Sequence, residues 1–126
     1  MISTIVEAGI ACLRAAAGGD LSARSSVVLY AALLESAALR GDVRALYYVG
    51  KMYESGVGVE KDWARAFALL RWAKSNVDLD ANKEYGEILR DWHEDWERGL
   101  TGETRERALQ ILMQLEAAAS GDGAQT

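Results

Sequence analysis

The segment with the highest density of ionisable side chains is DWHEDWE, which runs from Asp91 to Glu97. His93 is the one histidine of the chain, and Glu97 follows it by one helical turn, so the two could ligate a metal ion. A Ser-His-Asp arrangement would also depend on His93. No HExxH motif or comparable signature accompanies the pair. We therefore interpret the segment as a solvated, acidic helix face and predict no enzyme activity, no metal site and no cofactor.

Aromatic side chains form the second notable group. Helical spacing relates a set of residues that includes two tryptophans: Ala81, Tyr85, Ile88, Leu89, Trp92 and Trp96. Such a stripe fits a core face packed against helices 4 and 6. It also fits an interface, because tryptophan is favoured where proteins anchor a partner or a second copy. The sequence leaves both interpretations open.

Composition predicts a single all-α domain that binds neither nucleic acid nor an anionic membrane. The chain has 126 residues, half of them hydrophobic, no proline and no strand-like alternation. The net charge is −5 and no basic run exists, which argues against binding of nucleic acid or of an anionic membrane. Cys12 lies in an apolar helical pattern and is predicted to be a small core residue. We see no signal peptide or membrane span and expect a cytoplasmic protein.

A short phrase recurs along the chain and predicts helix ends. It reads AAAGGD at residues 15–20, AALRGD at 37–42 and AAASGD at 117–122, with a degenerate copy, AKSNVD, at 73–78. Small residues allow helices to pack closely, and glycine or asparagine takes the left-handed conformation that ends a helix. The aspartate can then cap the next segment.

The two central copies are 36 residues apart, and other residues repeat at the same offset. The aligned pairs are Ala45 with Ala81, Gly50 with Gly86, Leu33 with Leu69, Leu34 with Leu70, and Ser26 with Asp62. Six helices are predicted: 3–17, a second from a cap at Ser25 or Ser26 to Leu39, 43–55, 62–75, 79–98, and a sixth from Thr101 or Thr104 to Ala119. We predict one domain over residues 1–119 and a flexible tail over 120–126.

The repeat over residues 45–81 has the most complete pattern. Gly56 and Gly58 predict a turn with positive φ, Asp62 predicts a helix cap, and Gly50 predicts a close crossing by a neighbouring helix. The full set of patterned residues is Ala45, Gly50, Tyr53, Gly56, Gly58, Asp62, Ala66, Ala73, Ala81 and Gly86. With these residues the chain resembles the Sel-one-like repeat family, a relative of the tetratricopeptide repeat. It departs from the family at Leu69, Lys74 and Val77, and its last unit lacks the Gly-x-Gly turn.

The resemblance implies a short α-solenoid of antiparallel helix pairs, an α-α superhelix that acts as a non-catalytic adaptor, commonly in bacterial secretion, envelope assembly or signalling. The expected partner is a protein or peptide. The small size of the chain suggests a dedicated partner, such as a secreted effector that it neutralises or chaperones. The alternative is a structural protein that forms homodimers through aromatic helix 5.

The partner-binding candidates follow from the first helix of each unit, which lines the concave face of such stacks. They are Arg44, Tyr47, Tyr48 and Lys51 on helix 3, Asn82, Lys83 and Glu84 at the equivalent level of helix 5, and Trp92 and Trp96 farther along. For Leu46 and Tyr48 the sequence equally allows packing against helix 1 or 2.

Overall fold

Six α-helices and one short 3-10 helix make up the protein in a computed structural model, which describes the backbone of residues 2–124 and the side chains of residues 4–118. The elements are α1 (Ile2–Ala17), α2 (Leu21–Leu39), α3 (Val43–Ser55), α4 (Trp63–Asn76), the 3-10 helix Leu79–Ala81, α5 (Lys83–Gly99) and α6 (Gly102–Ala124). Residues 2–124 contain no β-strand. The prediction of an all-α fold with six helices is confirmed. No helix within the described range combines the length and apolar character needed to cross a membrane.

The recurring phrase forms the predicted turns after α1 and α2. Gly19 and Gly41 have φ values of 101° and 102° in the left-handed region, where glycine has no steric penalty. The Asp20 and Asp42 carboxylates each accept a hydrogen bond from a backbone N–H in the first turn of the next helix, at 3.0 and 2.9 Å. Each glycine thus ends one helix, and each aspartate begins the next.

The Gly-x-Gly segment between α3 and α4 also has the predicted geometry. Gly56 ends α3 in the left-handed conformation with φ 78°, and Gly58 has φ 82°. A Cβ atom on Gly58 would lie 2.7 Å from the Met52 side chain, so the turn packs directly on the core. Asp62 then begins α4, because its side chain accepts a hydrogen bond from the Arg65 N–H.

Successive helices from α1 to α5 pack on their neighbours, and α3 also packs on α5. Two hydrophobic clusters lie between them. The larger extends from α1 to α5 and includes Leu34, Leu46 and Met52. The smaller joins α4 to α6 through Ala64, Phe67, Ala68, Ala108 and Ile111. This arrangement is compatible with a short α-solenoid.

Two predicted helix starts are wrong. α2 begins at Leu21 rather than after Ser25 or Ser26, because Asp20 directly follows the Gly19 turn and is already in place to cap it. The segment from Leu79 to Ala81 is a 3-10 turn, and α5 begins at Lys83 after the cap Asn82. Ala81 therefore lies outside α5 and is exposed.

The predicted end of helix 6 is also wrong. The phrase AAASGD at residues 117–122 lies within α6, which continues to Ala124. The earlier phrases are followed by an aspartate-capped helix that packs back on the preceding one, whereas no further helix follows α6 in the described chain. Residues 125 and 126 of the predicted tail lie outside the described residues.

Candidate functional site

Five aromatic side chains form a continuous row along α3 and α5, which we call the aromatic row: Tyr48, Tyr47, Tyr85, Trp92 and Trp96. The Tyr47 ring stacks on Trp92 with ring centroids 5.1 Å apart, and Trp92 stacks on Trp96 at 5.7 Å. Tyr47, Tyr85, Trp92 and Trp96 are each partly exposed. The row therefore combines rigid packing with accessible ring surface.

Gly50 allows α5 to approach α3 closely enough to build the row. A Cβ atom at Gly50 would lie 3.3 Å from the Trp92 ring. The close helix crossing predicted from the glycine is confirmed, and Trp92 is the residue that occupies the space. The predicted packing of this stripe against helices 4 and 6 is only part of the arrangement, since Trp92 packs on α3 while Trp96 contacts Trp63 at the start of α4.

Cationic side chains accompany the row. The Lys51 ammonium lies 4.9 Å from the centroid of the Trp92 ring, and the Arg14 guanidinium lies 5.6 Å from that of Tyr48. Arg44 lies 3.9 Å from the Glu7 carboxylate, and its side chain is about one third exposed. Three cations thus lie beside exposed aromatic surface, and two of them have a neighbouring carboxylate, Glu7 beside Arg44 and Glu54 beside Lys51.

A shallow cavity of about 210 Å³ opens at the α1 end of the row, between Arg14, Arg44, Tyr48 and Tyr85. Its two guanidinium groups come from α1 and α3. Guanidinium groups bind carboxylates in a bidentate manner. The exposed Glu7 side chain also lines the cavity, with its carboxylate 3.9 Å from Arg44. An acidic side chain or a chain terminus would therefore bind by replacing Glu7 at Arg44.

Tyr48 is not an accessible contact. It is 8% exposed, and its hydroxyl accepts a 2.6 Å hydrogen bond from Arg14 of α1. Leu46 is also buried, at 1% exposed. Both residues therefore pack within the chain and do not form partner contacts.

The other candidates on α5 divide into one structural residue and two exposed ones. The Asn82 side chain accepts a hydrogen bond from the Tyr85 N–H and caps α5. Lys83 and Glu84 are exposed in the first turn, where they carry opposite charges.

His93 contradicts the prediction of a solvated helix face. It is 4% exposed and stacks on Phe67 of α4, with ring centroids 5.5 Å apart. Neither ring nitrogen has a hydrogen-bond partner among the described residues. Burial, with Lys74 nearby, lowers the pKa of His93 and favours the neutral imidazole. Spacing was the missed signal, because Gly86, Leu89 and His93 share one helix face and are the buried residues of α5.

The acids around His93 do not converge on it. Glu97 is nearest, with its carboxylate 3.7 Å from the histidine Nδ1, but it accepts a 2.8 Å hydrogen bond from Arg71, which lowers the pKa of Glu97. Within the described residues, no group of three or more metal-ligating side chains could hold an ion. The Cys12 thiol also has a partner within the chain, since it donates a hydrogen bond to the Ala23 carbonyl at 3.3 Å.

A polar network joins the central helices α2, α3 and α4. Arg65 of α4 donates to the Glu35 carboxylate of α2 and, at 3.1 Å, to the Tyr53 hydroxyl of α3. Tyr53 in turn donates to Glu35 at 3.3 Å. Desolvation and the Glu35 charge raise the pKa of Tyr53. The patterned residue Tyr53 therefore has a structural role that joins three helices.

Comparison with protein-family models, with curated proteins and with solved structures gives no significant match to this chain.

Proposed function

We propose that the protein is a non-catalytic interaction module, a small Sel-one-like solenoid that binds a dedicated protein or peptide partner. The binding surface is the face formed by α1, α3 and α5, which carries the aromatic row. The single observation that supports this assignment is the line of partly exposed, mutually stacked rings with Arg14, Arg44 and Lys51 beside them. Tyrosine, tryptophan and arginine are the residues that most often dominate binding energy in interfaces.

The chemistry of the face defines the kind of segment that would bind. Stacked rings that are already held in place offer apolar surface at a small entropic cost, because few rotamers are lost on binding. The guanidinium groups at the α1 end attract carboxylates. A segment with apolar side chains followed by acidic groups matches both features. The proposal that the partner is a secreted bacterial effector rests on the resemblance and on chain size. The proposal that the protein acts in the cytoplasm rests on the sequence, in which we see no signal-peptide pattern.

The alternative, self-association through aromatic helix α5, has less support. Trp92 and Trp96 stack on one another and on Tyr47 and Trp63 of the same chain. The ring surface that stays exposed belongs to the same face as Arg44 and Lys51, and pairing two copies of that face would bring like charges together.

The test is partner capture from the native host, followed by titration of the purified partner against three forms of the protein. The first is the wild type, and the second carries Arg44→Glu and Lys51→Glu. The third carries Lys74→Glu and Arg98→Glu, which change the net charge equally but lie off the face. We expect the second form to bind at least about tenfold more weakly and the third to bind like the wild type.

Calorimetry gives the affinities, and circular dichroism checks that all three forms are equally helical. Capture of no partner, or equal affinity of the two double variants, would overturn the proposal. Binding by the wild type should also weaken as salt is raised, because the charges on this face are exposed.

A further inference from the structure

A strip of large apolar side chains is exposed on α2, on the side away from the core. We call Leu21, Val28, Leu29 and Leu33 the α2 strip. Leu21 and Leu29 are 77% and 76% exposed, and Val28 and Leu33 are about half exposed. Positions 21, 28, 29 and 33 lie on one face of a helix. Clustered exposed apolar residues of this kind usually mark an interaction site.

The internal repeat indicates what kind of object fits the α2 strip. At the offset of 36 residues, Leu33 corresponds to Leu69 of α4, which is 1% exposed in the main core. Leu29 corresponds to Arg65 of α4, which pairs with Glu35 of α2. Leu29 and Leu33 are therefore exposed at positions where α4 has one residue paired with α2 and one in the main core. Val28 corresponds to Ala64, which packs on α6. A further helix would cover these α2 positions as neighbouring helices cover those of α4.

The opposite end of the molecule carries a matching pair of apolar residues. Leu109 and Met113 of α6, the α6 strip, are one helical turn apart and are 39% and 68% exposed. They point away from Ala108 and Ile111, which pack α6 onto α4.

The charges that flank the two strips are complementary. Exposed Arg24 and Arg40 flank the α2 strip, and exposed Glu106 and Glu116 flank the α6 strip. Arg105 and Arg107 also lie beside the α6 strip, but they are paired with Glu97 and Asp62 of the same chain. Suppose that α2 of one copy lies parallel to α6 of another, with Leu29 beside Leu109 and Leu33 beside Met113. Arg24 then lies near Glu106, and Arg40 lies near Glu116. The offset is at most about four residues, or about 6 Å along the helix axis. An arginine side chain spans that distance.

We propose that the α6 strip of one molecule binds the α2 strip of a second copy, so that the helical stack continues from chain to chain. The contact joins two different surfaces, so each bound copy exposes a new end and growth is open rather than closed. The α1/α3/α5 face stays free in every copy. This inference concerns a different surface from the proposed function and does not depend on it.

The test uses two end-blocked variants, Leu29→Glu and Met113→Glu, with Ser75→Glu as a control that adds the same charge at an exposed site on α4. Sedimentation equilibrium over a range of protein concentrations gives the average mass, and circular dichroism verifies folding. We expect the mass of the wild type and of the control to rise with concentration beyond that of a dimer. Each blocked variant alone should remain a monomer.

The decisive measurement is an equimolar mixture of the two blocked variants. Each retains one intact strip, so the mixture should form dimers and grow no further. A monomeric wild type at the highest soluble concentration would overturn the proposal. So would a mixture that stays monomeric, or a Met113→Glu protein that still dimerises, which would indicate pairing of α2 with α2.

Discussion

The His93 imidazole is buried between α4 and α5 against Phe67, and its environment favours the neutral form. Lys74 and Arg71 oppose protonation, while Glu97 and Glu94 favour it, and burial is the largest contribution to the lowered pKa of His93. A charge at this position would be costly, because both ring nitrogens are buried and neither has a hydrogen-bond partner among the described residues.

We predict that the protein loses stability as the pH falls below about 6.5, the ordinary pKa of histidine. The unfolded chain takes up a proton there, whereas folded His93, with its lowered pKa, does not, so acid favours unfolding. The contribution of neutral His93 to stability is fully present above that pH. It is lost progressively as the pH falls toward the lower pKa that His93 has in the folded protein. Urea unfolding at several pH values between about 5 and 8 measures the slope.

The matched variant for this prediction is His93→Phe, which keeps a ring on Phe67 but cannot titrate. Its free energy of unfolding should change little over the same pH range. The carboxylates of Asp62 and Glu97 have lowered pKa values, so they change the free energy of unfolding only below about pH 4.5. Their titration therefore does not overlap with the range that is measured. An equal slope in both proteins would show that His93 is not the group responsible.

Gly86 is the residue at which a single methyl group should do most harm. An added Cβ would lie 2.1 Å from the backbone oxygen of Leu79, and a backbone atom cannot move aside as a flexible side chain can. We expect Gly86→Ala to destabilise the protein by about 2–3 kcal/mol, the upper part of the range for overpacking. Gly99→Ala is the control, because nothing lies near its Cβ position. It should stabilise α5 by about 0.5 kcal/mol, and equal effects in thermal unfolding would contradict this account.

At the scale of elements, Asp62 joins α4 to α6. Its carboxylate caps α4 and also accepts two hydrogen bonds from Arg107 of α6, the second at 2.8 Å. The hydrogen bond from Arg107 is the main reason that the pKa of Asp62 is lowered. One side chain thus begins a helix and orients a second one.

We predict that Asp62→Ala costs more stability than Asp42→Ala, which removes only a cap. A cap is worth about 1 kcal/mol, and an ion pair with an exposed partner adds up to about 1 kcal/mol. Urea unfolding at low salt should therefore separate the two variants, and about 1 M salt should narrow the gap. Arg107→Ala should lower the free energy of unfolding only by the contribution of the ion pair, which salt weakens, because the Asp62 cap is kept. A gap that is absent at low salt would mean that the ion pair does not stabilise the docking of α6.

The elements that the sequence predicted best are those whose ends are fixed by local chemistry. α3 was predicted residue for residue, because Asp42 caps its start and Gly56 ends it in the left-handed conformation. The start of α2 was missed, since α2 is apolar on both its core side and its exposed side, and periodicity then fails to reveal where the pattern begins. Asn82 was overlooked as a cap because Asp78 offered an earlier one, which in the structure caps the 3-10 turn.

The candidate site was predictable only in part, for a related reason. Helical spacing relates Trp92 to Trp96, but the contact of Trp92 with Tyr47 depends on how two helices cross at Gly50. Likewise, the charges beside His93 are adjacent in sequence, whereas its burial depends on Phe67, which is far along the chain. Local patterns specify what a residue can do, and tertiary packing decides which side of it is covered.

At the scale of the whole molecule, the two hydrophobic clusters are unequal. The main cluster spans five helices, whereas α6 is held chiefly by the small one, with Trp96, Leu112 and Leu115 at its margin. In a stack where each unit contacts only its neighbours, stability is a sum of local contributions, and terminal units open first.

We therefore predict that α6 opens without global unfolding. Hydrogen exchange at a concentration low enough to keep the protein monomeric should be faster for α6 amides than for those of α3 and α4. Ile111→Ala, which removes a 7% exposed side chain from the small cluster, should speed exchange in α6 alone. Met52→Ala, at a site 1% exposed in the main cluster, should speed exchange throughout the molecule. If Ile111→Ala accelerated α3 as much as α6, the six helices would form one cooperative unit, and α6 could not adjust independently when its outer strip meets another copy.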